Sequence, residues 1–198
     1  MENGILVGQS TAEISLKGSS FIGYTGEEFQ DFELRVKFRI EGDRANSGIQ
    51  YRSGWANDRG KWELAGYQAD FDSANEYTGL LYDAWGRGVM TQPGETVILR
   101  ADQAPAEEFK YSREVLSRDE AGIIKIEQRR WYEYTIIASD YHFIHWIDSQ
   151  QTVDVLDEDD KHRRRQGWIG FQLHDGPPMK VELKAIRIRK IGPTKLGR

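Results

Sequence analysis

Residues 32–40 read Phe-Glu-Leu-Arg-Val-Lys-Phe-Arg-Ile, an unbroken alternation of apolar and charged side chains. A period of two is the signature of a strand with one face buried and one face wet. Residues 181–189, Val-Glu-Leu-Lys-Ala-Ile-Arg-Ile-Arg, repeat the pattern near the other end of the chain. A slip of one residue in either would drive charges into the core, so the pattern dictates register as well as element type. Further strands are expected at 4–7, 12–16, 47–52, 64–71, 78–83, 131–138, 142–148 and 168–174. Turn signals separate them, among them Glu41-Gly42-Asp43, Ser53-Gly54, Ser139-Asp140, Asp148-Ser149 and Gly176-Pro177. About ten short strands with polar turns predict an all-β, two-sheet antiparallel sandwich. Its length of 198 residues suits one domain over 1–198, with room for a sizeable core.

Two stretches break the pattern. Residues 86–125 are rich in Gly, Pro and charge, with a weak helical signal over 106–118. They read as a functional loop or a loose insertion. Residues 157–165, Asp-Glu-Asp-Asp-Lys-His-Arg-Arg-Arg, read as a solvated charged loop.

Composition excludes several function classes. The net charge of −5 gives nucleic-acid binding no general electrostatic support. With no cysteine, disulfides and thiolate-held metals are excluded. No apolar run approaches membrane-spanning length, and no signal peptide is seen. The chain has no Walker loop, dinucleotide fingerprint or Gly-x-Ser-x-Gly, and its four histidines lack zinc-site spacing. Six Trp and nine Tyr supply rings of the kind that stack on sugars.

The candidate site residues fall on non-core strand faces. In 168–174, Trp168, Gly170, Gln172 and His174 share a face, opposite Ile169, Phe171 and Leu173. His174 lies at the strand end, beside Asp175. In 66–72, Gln68, Asp70 and Asp72 share a face at steps of roughly 6.5–7 Å, a spacing that suits paired carboxylates or a plain polar face. Gly48 permits close approach of a ligand or a neighbouring backbone, and Arg52 could neutralise a carboxylate or bind hydroxyls. Tyr82 and Arg87 are candidate ligand contacts, Arg87 lying between two glycines; a solvent-facing turn arginine is the alternative. His145 stands on a strand beside Trp146, structural or ligand-binding. Trp85 and Trp131 are candidate sugar platforms. No cofactor is demanded; a hard divalent ion on Asp70 or Asp72 stays open.

Taken together, Asp31-Phe32-Glu33-Leu34, Asn46-Ser47-Gly48-Ile49-Gln50-Tyr51-Arg52, Gly66-Tyr67-Gln68-Ala69-Asp70, Thr78-Gly79-Leu80-Leu81-Tyr82-Asp83 and Ile169-Gly170-Phe171-Gln172-Leu173-His174 with its Gly-Pro-Pro turn resemble the 3-keto-disaccharide hydrolase family. The resemblance covers nearly the whole chain. It implies a concanavalin A-like jelly roll, a secreted or periplasmic place, and a carbohydrate ligand. Family members carry an upstream Leu-Phe-Asn-Gly…Gly-Trp segment that this chain lacks, which suggests truncation or a domain boundary.

Laminarinase-type glucanases of that architecture carry Glu-x-Asp-x-x-Glu on a concave strand. Here the comparable run is Gln68-Ala69-Asp70-Phe71-Asp72-Ser73. An amide in place of the first carboxylate argues against double displacement. A 3-keto sugar needs no such nucleophile, because its carbonyl acidifies the C2 proton and a base can start elimination of the C1 substituent. The expected function is hydrolysis of 3-keto-glycosides by elimination and hydration. Asp70 and His174 are the expected acid/base pair, and Arg52, Gln68, Tyr82, Trp85, Arg87, Trp131, His145 and Gln172 the expected substrate contacts around one concave groove. A non-catalytic carbohydrate-binding module is the alternative, since fold does not fix function.

Overall fold

The computed structural model describes residues 4–102 and 111–192. Two sheets face one another. The larger has eight strands, ordered β1 (Leu6–Gln9), β14 (Lys180–Lys190), β3 (Phe32–Glu41), β10 (Tyr132–Ser139), β11 (His142–Ile147), β12 (Gln150–Asp157), β8 (Glu95–Ala101) and β9 (Tyr111–Arg118). The smaller has six, ordered β2 (Ser20–Phe29), β13 (Gly167–Leu173), β4 (Asn46–Trp55), β5 (Leu64–Asp72), β6 (Leu81–Ala84) and β7 (Gly88–Val89). The pairing is antiparallel except between β8 and β12. This is the all-β two-sheet sandwich that the alternation predicts, and the jelly roll that the family resemblance implies.

The core lies between the sheets. Phe32, Leu34, Val36, Phe38 and Ile40 of β3 are all buried, as their period requires. They meet Ile49, Tyr51, Tyr67, Ala69 and Phe71 from β4 and β5 of the opposite sheet in one continuous cluster. Phe38 and Phe71 rings stand 4.2 Å apart across the interface.

Several expectations fail for physical reasons. β14 follows its alternation only through Leu183. A bulge between Lys184 and Arg187, with Ala185 at φ 50°, interrupts the ladder, and Ile186 and Ile188 stay exposed beyond it. Residues 12–16 form no strand. The helical reading of 106–118 is overturned for 111–118, which is strand β9, and its first residues lie outside those described. The supposedly irregular 86–125 stretch also contains β7 and β8. The charged run 157–165 is anchored: Asp157 and Asp159 are fully buried. Among the described residues, no helix is long and apolar enough to cross a membrane.

Candidate active site

The outer face of the six-stranded sheet carries the polar cluster. β4 and β5 pair so that Gln50 lies opposite Gln68 and Gly48 opposite Asp70. β6 brings Tyr82 opposite Gln68, and β13 brings Gly170 opposite Gln50. These side chains point away from the hydrophobic core. Yet Gln50, Gln68, Asp70 and Gln172 are all buried, so they form a covered polar cluster, with Leu64 folded over Gly170 beside them. Gly48 makes the packing possible. A Cβ there would come within 2.5 Å of Gln68 Cγ, so the Gln68 side chain lies across bare backbone.

Hydrogen bonds join the cluster in a fixed direction. Gln50 Nε2 donates to Gln68 Oε1 at 3.0 Å. Gln68 Nε2 donates to Asp70 Oδ1 at 2.6 Å and to Gln172 Oε1 at 3.3 Å. Gln172 Nε2 donates to Ser19 Oγ at 3.3 Å. Gln50 Oε1 is buried without a partner, leaving an acceptor in the cluster. Burial raises the Asp70 pKa to about 8, with the negative charge of Asp72 adding to it and the Gln68 amide opposing it. A carboxyl so placed is mostly protonated at neutral pH. Because Oδ1 accepts from Gln68, Oδ2 is the oxygen free to carry the proton. Tyr82, half-buried on the adjacent strand, has its own pKa raised by burial and then by the charge of Asp70.

Flanking residues complete the site. The loop after β4 turns back so that Trp62 C=O accepts from Phe21 N–H of β2. This places Glu63 over the sheet, where Trp85 Nε1 donates to its carboxylate at 3.3 Å. Burial raises the Glu63 pKa, and both Asp175 and His174 stand near enough to influence it. His174, two residues past Gln172, is 41% exposed at its side chain. Its Nδ1 lies 2.5 Å from the Asp175 carbonyl and 3.2 Å from Asp175 Oδ1. Those acceptors favour the tautomer with hydrogen on Nδ1, which leaves Nε2 as the basic nitrogen.

Gln68, Asp70, Tyr82 and Gln172 thus come together, while Trp85 and His174 both stand beside Glu63. Four expected contacts do not belong there. Arg52 occupies a bulge at φ 48° that turns it inward. Its guanidinium donates to Gln30 C=O and Arg164 C=O and lies over the Phe143 ring at 5.0 Å. Arg87 is buried against Asp83, Asp157 and Asp159, at 2.9, 2.8 and 3.2 Å. His145 faces the core, where its Nε2 meets Tyr51 Oη at 3.0 Å and burial lowers its pKa to about 3. Trp131 lies against the other sheet, beneath the cations of Arg39 and Lys184. Asp72 caps the following turn, accepting from Glu76 N–H, Tyr77 N–H and Thr78 Oγ1. Among the described residues, no group of three or more His, Asp or Glu is placed to hold a metal ion.

Gln50, Ser19 and Glu63 are the members that sequence reasoning missed. Gln50 was findable, since it shares a strand face with Gly48. Glu63 and Ser19 precede their strands, where no periodicity speaks for them.

The chain matches the 3-keto-alpha-glucoside-1,2-lyase-like domain over residues 1–189. It belongs to that family. No curated protein matches it in sequence. Among solved structures, carbohydrate-binding module CBM66 from Bacillus subtilis is similar with a TM-score of 0.58 and 14% identity, over 94% of this chain and 96% of that one. A putative glycosyl hydrolase from Parabacteroides distasonis gives 0.59 and 13%, over 96% and 88%. A Bacillus subtilis protein with a galectin-like fold gives 0.53 and 12%, over 94% and 88%. At such identities these likenesses establish the sandwich fold alone, and the named proteins include a carbohydrate-binding module as well as a putative glycosyl hydrolase.

Proposed function

We propose that this family member cleaves glycosides of 3-keto sugars by elimination followed by hydration. The observation that carries the reading is the Asp70 carboxyl, buried beside the Gln68 amide with its pKa raised to about 8. Such a group is an acid at neutral pH, not a nucleophile. In the proposed reaction His174 Nε2 removes the C2 proton, made acidic by the neighbouring ketone. The C1–O bond breaks as the C1=C2 double bond forms, and Asp70 Oδ2–H protonates the departing oxygen. Water then adds to C1, giving its proton to the Asp70 carboxylate, while the imidazolium returns a proton to C2. Gln172 would donate to the enolate oxygen, since its bond to Ser19 Oγ is long and exchangeable. Loss of such a donor costs on the order of 10²-fold in kcat. Trp85, 46% exposed beside Glu63, would take the sugar's apolar face. A secreted or periplasmic location accompanies the family reading.

Incubation with 3-keto-glucosides, with and without divalent metal, should release 3-keto-glucose and carry solvent deuterium into C2. Absence of turnover on every 3-keto substrate would defeat the proposal. If unoxidised glycans nevertheless bound tightly, the domain would be a carbohydrate-binding module, a reading that the likeness to CBM66 supports.

A further inference from the structure

One buried atom of the amide cluster stands unused. Gln50 is wholly buried, yet its Oε1 has no hydrogen-bond partner among the described residues. An acceptor left empty under cover is unfavourable, so other bonds must hold the side chain that way round. Both hydrogens of Gln50 Nε2 are engaged. One goes to Leu64 C=O at 3.1 Å and the other to Gln68 Oε1 at 3.0 Å.

The Leu64 carbonyl sets the direction. A backbone carbonyl can only accept, so the atom of Gln50 that faces it must be the nitrogen. With Gln50 fixed, the atom of Gln68 that faces that nitrogen must be its oxygen. Gln68 Nε2 is therefore turned to Asp70 Oδ1 at 2.6 Å and to Gln172 Oε1 at 3.3 Å, and Gln172 Nε2 to Ser19 Oγ at 3.3 Å. Each amide inherits its orientation from the one before it. The anchor is itself held in place. Leu64 is fully buried, pairs with Trp55 across β4 and β5, and sets its Cδ1 2.3 Å from where a Cβ on Gly170 would stand.

Orientation matters at Asp70. An N–H aimed at its Oδ1 stabilises the carboxylate and leaves Oδ2 for the proton, whereas a reversed Gln68 would offer an oxygen and favour the acid form. The titratable groups that face Asp70 supply no positive charge in its place. Asp72 on the same strand adds a negative one. Tyr82 of β6 and Tyr134 of β10 have pKa values raised chiefly by burial and then by the Asp70 charge. β4 and β13 present Gly48 and Gln172, neither of them charged.

We propose that Gln50 is a positioning residue: anchored on the Leu64 carbonyl, it fixes the direction of the Gln68 and Gln172 amides, so that Asp70 carries its proton on Oδ2 and Gln172 keeps an N–H to donate. This rests on the reading of Asp70 as the acid and Gln172 as the enolate donor.

Carboxyl carbon NMR titration reads Asp70 directly in the wild type, Gln50→Met and Gln172→Met. Both substitutions replace an amide by an apolar chain of similar length, one before Gln68 in the series and one after it. Gln50→Met frees Gln68 to reverse, and Asp70 should titrate about one pH unit higher. Gln172→Met leaves Gln68 anchored, and Asp70 should stay near its wild-type value. No rise in Gln50→Met, or a rise as large in Gln172→Met, overturns the proposal. In the wild type, where no substitution has to be tolerated, the Gln68 side-chain N–H signals should move with the Asp70 titration, and signals indifferent to it also overturn the proposal. The kcat of Gln50→Met on a 3-keto-glucoside should fall about tenfold with KM little changed, and an unchanged kcat removes the positioning role. An Asp70 titration that responds as expected, in a protein that turns over no 3-keto substrate, leaves the amide series standing and removes the catalytic reading.

Discussion

At the scale of the residue, Asp70, the proposed acid, would join activity to instability. Its folded pKa is about 8, against an ordinary carboxylate value near 4. As pH rises above about 4, the unfolded chain releases this proton while the folded chain holds it. The native state therefore loses stability across the window from about 4 to about 8 and no further beyond it. Asp70→Asn removes that loss and keeps an oxygen to accept from Gln68. Its melting temperature should exceed wild type by a few degrees at pH 8 and by less at pH 5, with catalysis abolished; calorimetric scans at both pH values check this. Gln68 pulls the other way, since its amide lowers the Asp70 pKa. Gln68→Leu should move the alkaline limb of the pH–rate profile above 8. A limb that stays in place would show that Asp70 does not govern it.

At the scale of the element, bulges and glycines decide what a strand presents. Gly48 on β4 is the empty place over which Gln68 of β5 lies. Gly48→Ala should displace that amide and cut turnover by an order of magnitude or more, with a modest loss of stability, as parallel kinetics and melting curves would reveal. The β6–β7 hairpin supplies the opposite case. There Arg87 is the shared counter-ion of Asp83, Asp157 and Asp159, tying the hairpin to β12 and the chain beyond it. Removing one side of a buried ionic cluster leaves uncompensated charge, at a cost of about 3–5 kcal/mol. Arg87→Met should lower the urea midpoint accordingly, whereas a solvent-facing turn arginine would change it little. This hairpin also explains the buried end of the 157–165 run, whose acids look solvated only while their partner, some 70 residues away, is out of view.

At the scale of the whole molecule, one core cluster includes side chains from both sheets, so the sandwich should unfold as a unit. Far-ultraviolet dichroism and tryptophan fluorescence should report coincident transitions. Val36, fully buried at the centre of β3, is where a charge would be least tolerated. Val36→Asp should abolish the cooperative transition, and near-wild-type melting would mean that β3 faces the other way.

The alternation of β3, β5 and β13 was enough, read alone, to assign strands, faces and the polar set Gln68, Asp70 and Gln172, because side-chain direction along a regular stretch is a local property, and the irregularity of β13 lies before Gly170. It could not orient β11, where Phe143, His145 and Ile147 alternate with Ile144 and Trp146 and both faces are apolar enough to be core. It placed Arg52 with Gly48 and Gln50, and a single left-handed residue in β4 turned that side chain inward. Trp131 was legible as an exposed ring but not as a ring on the far sheet. The pKa values of Asp70 and His145 were beyond local reading, because desolvation depends on atoms brought over a residue by distant segments. Local periodicity determined which side chains stand together on a strand; only the packing of strands far apart in the chain decided which of those faces meets the core, which polar cluster is covered, and which carboxyl keeps its proton.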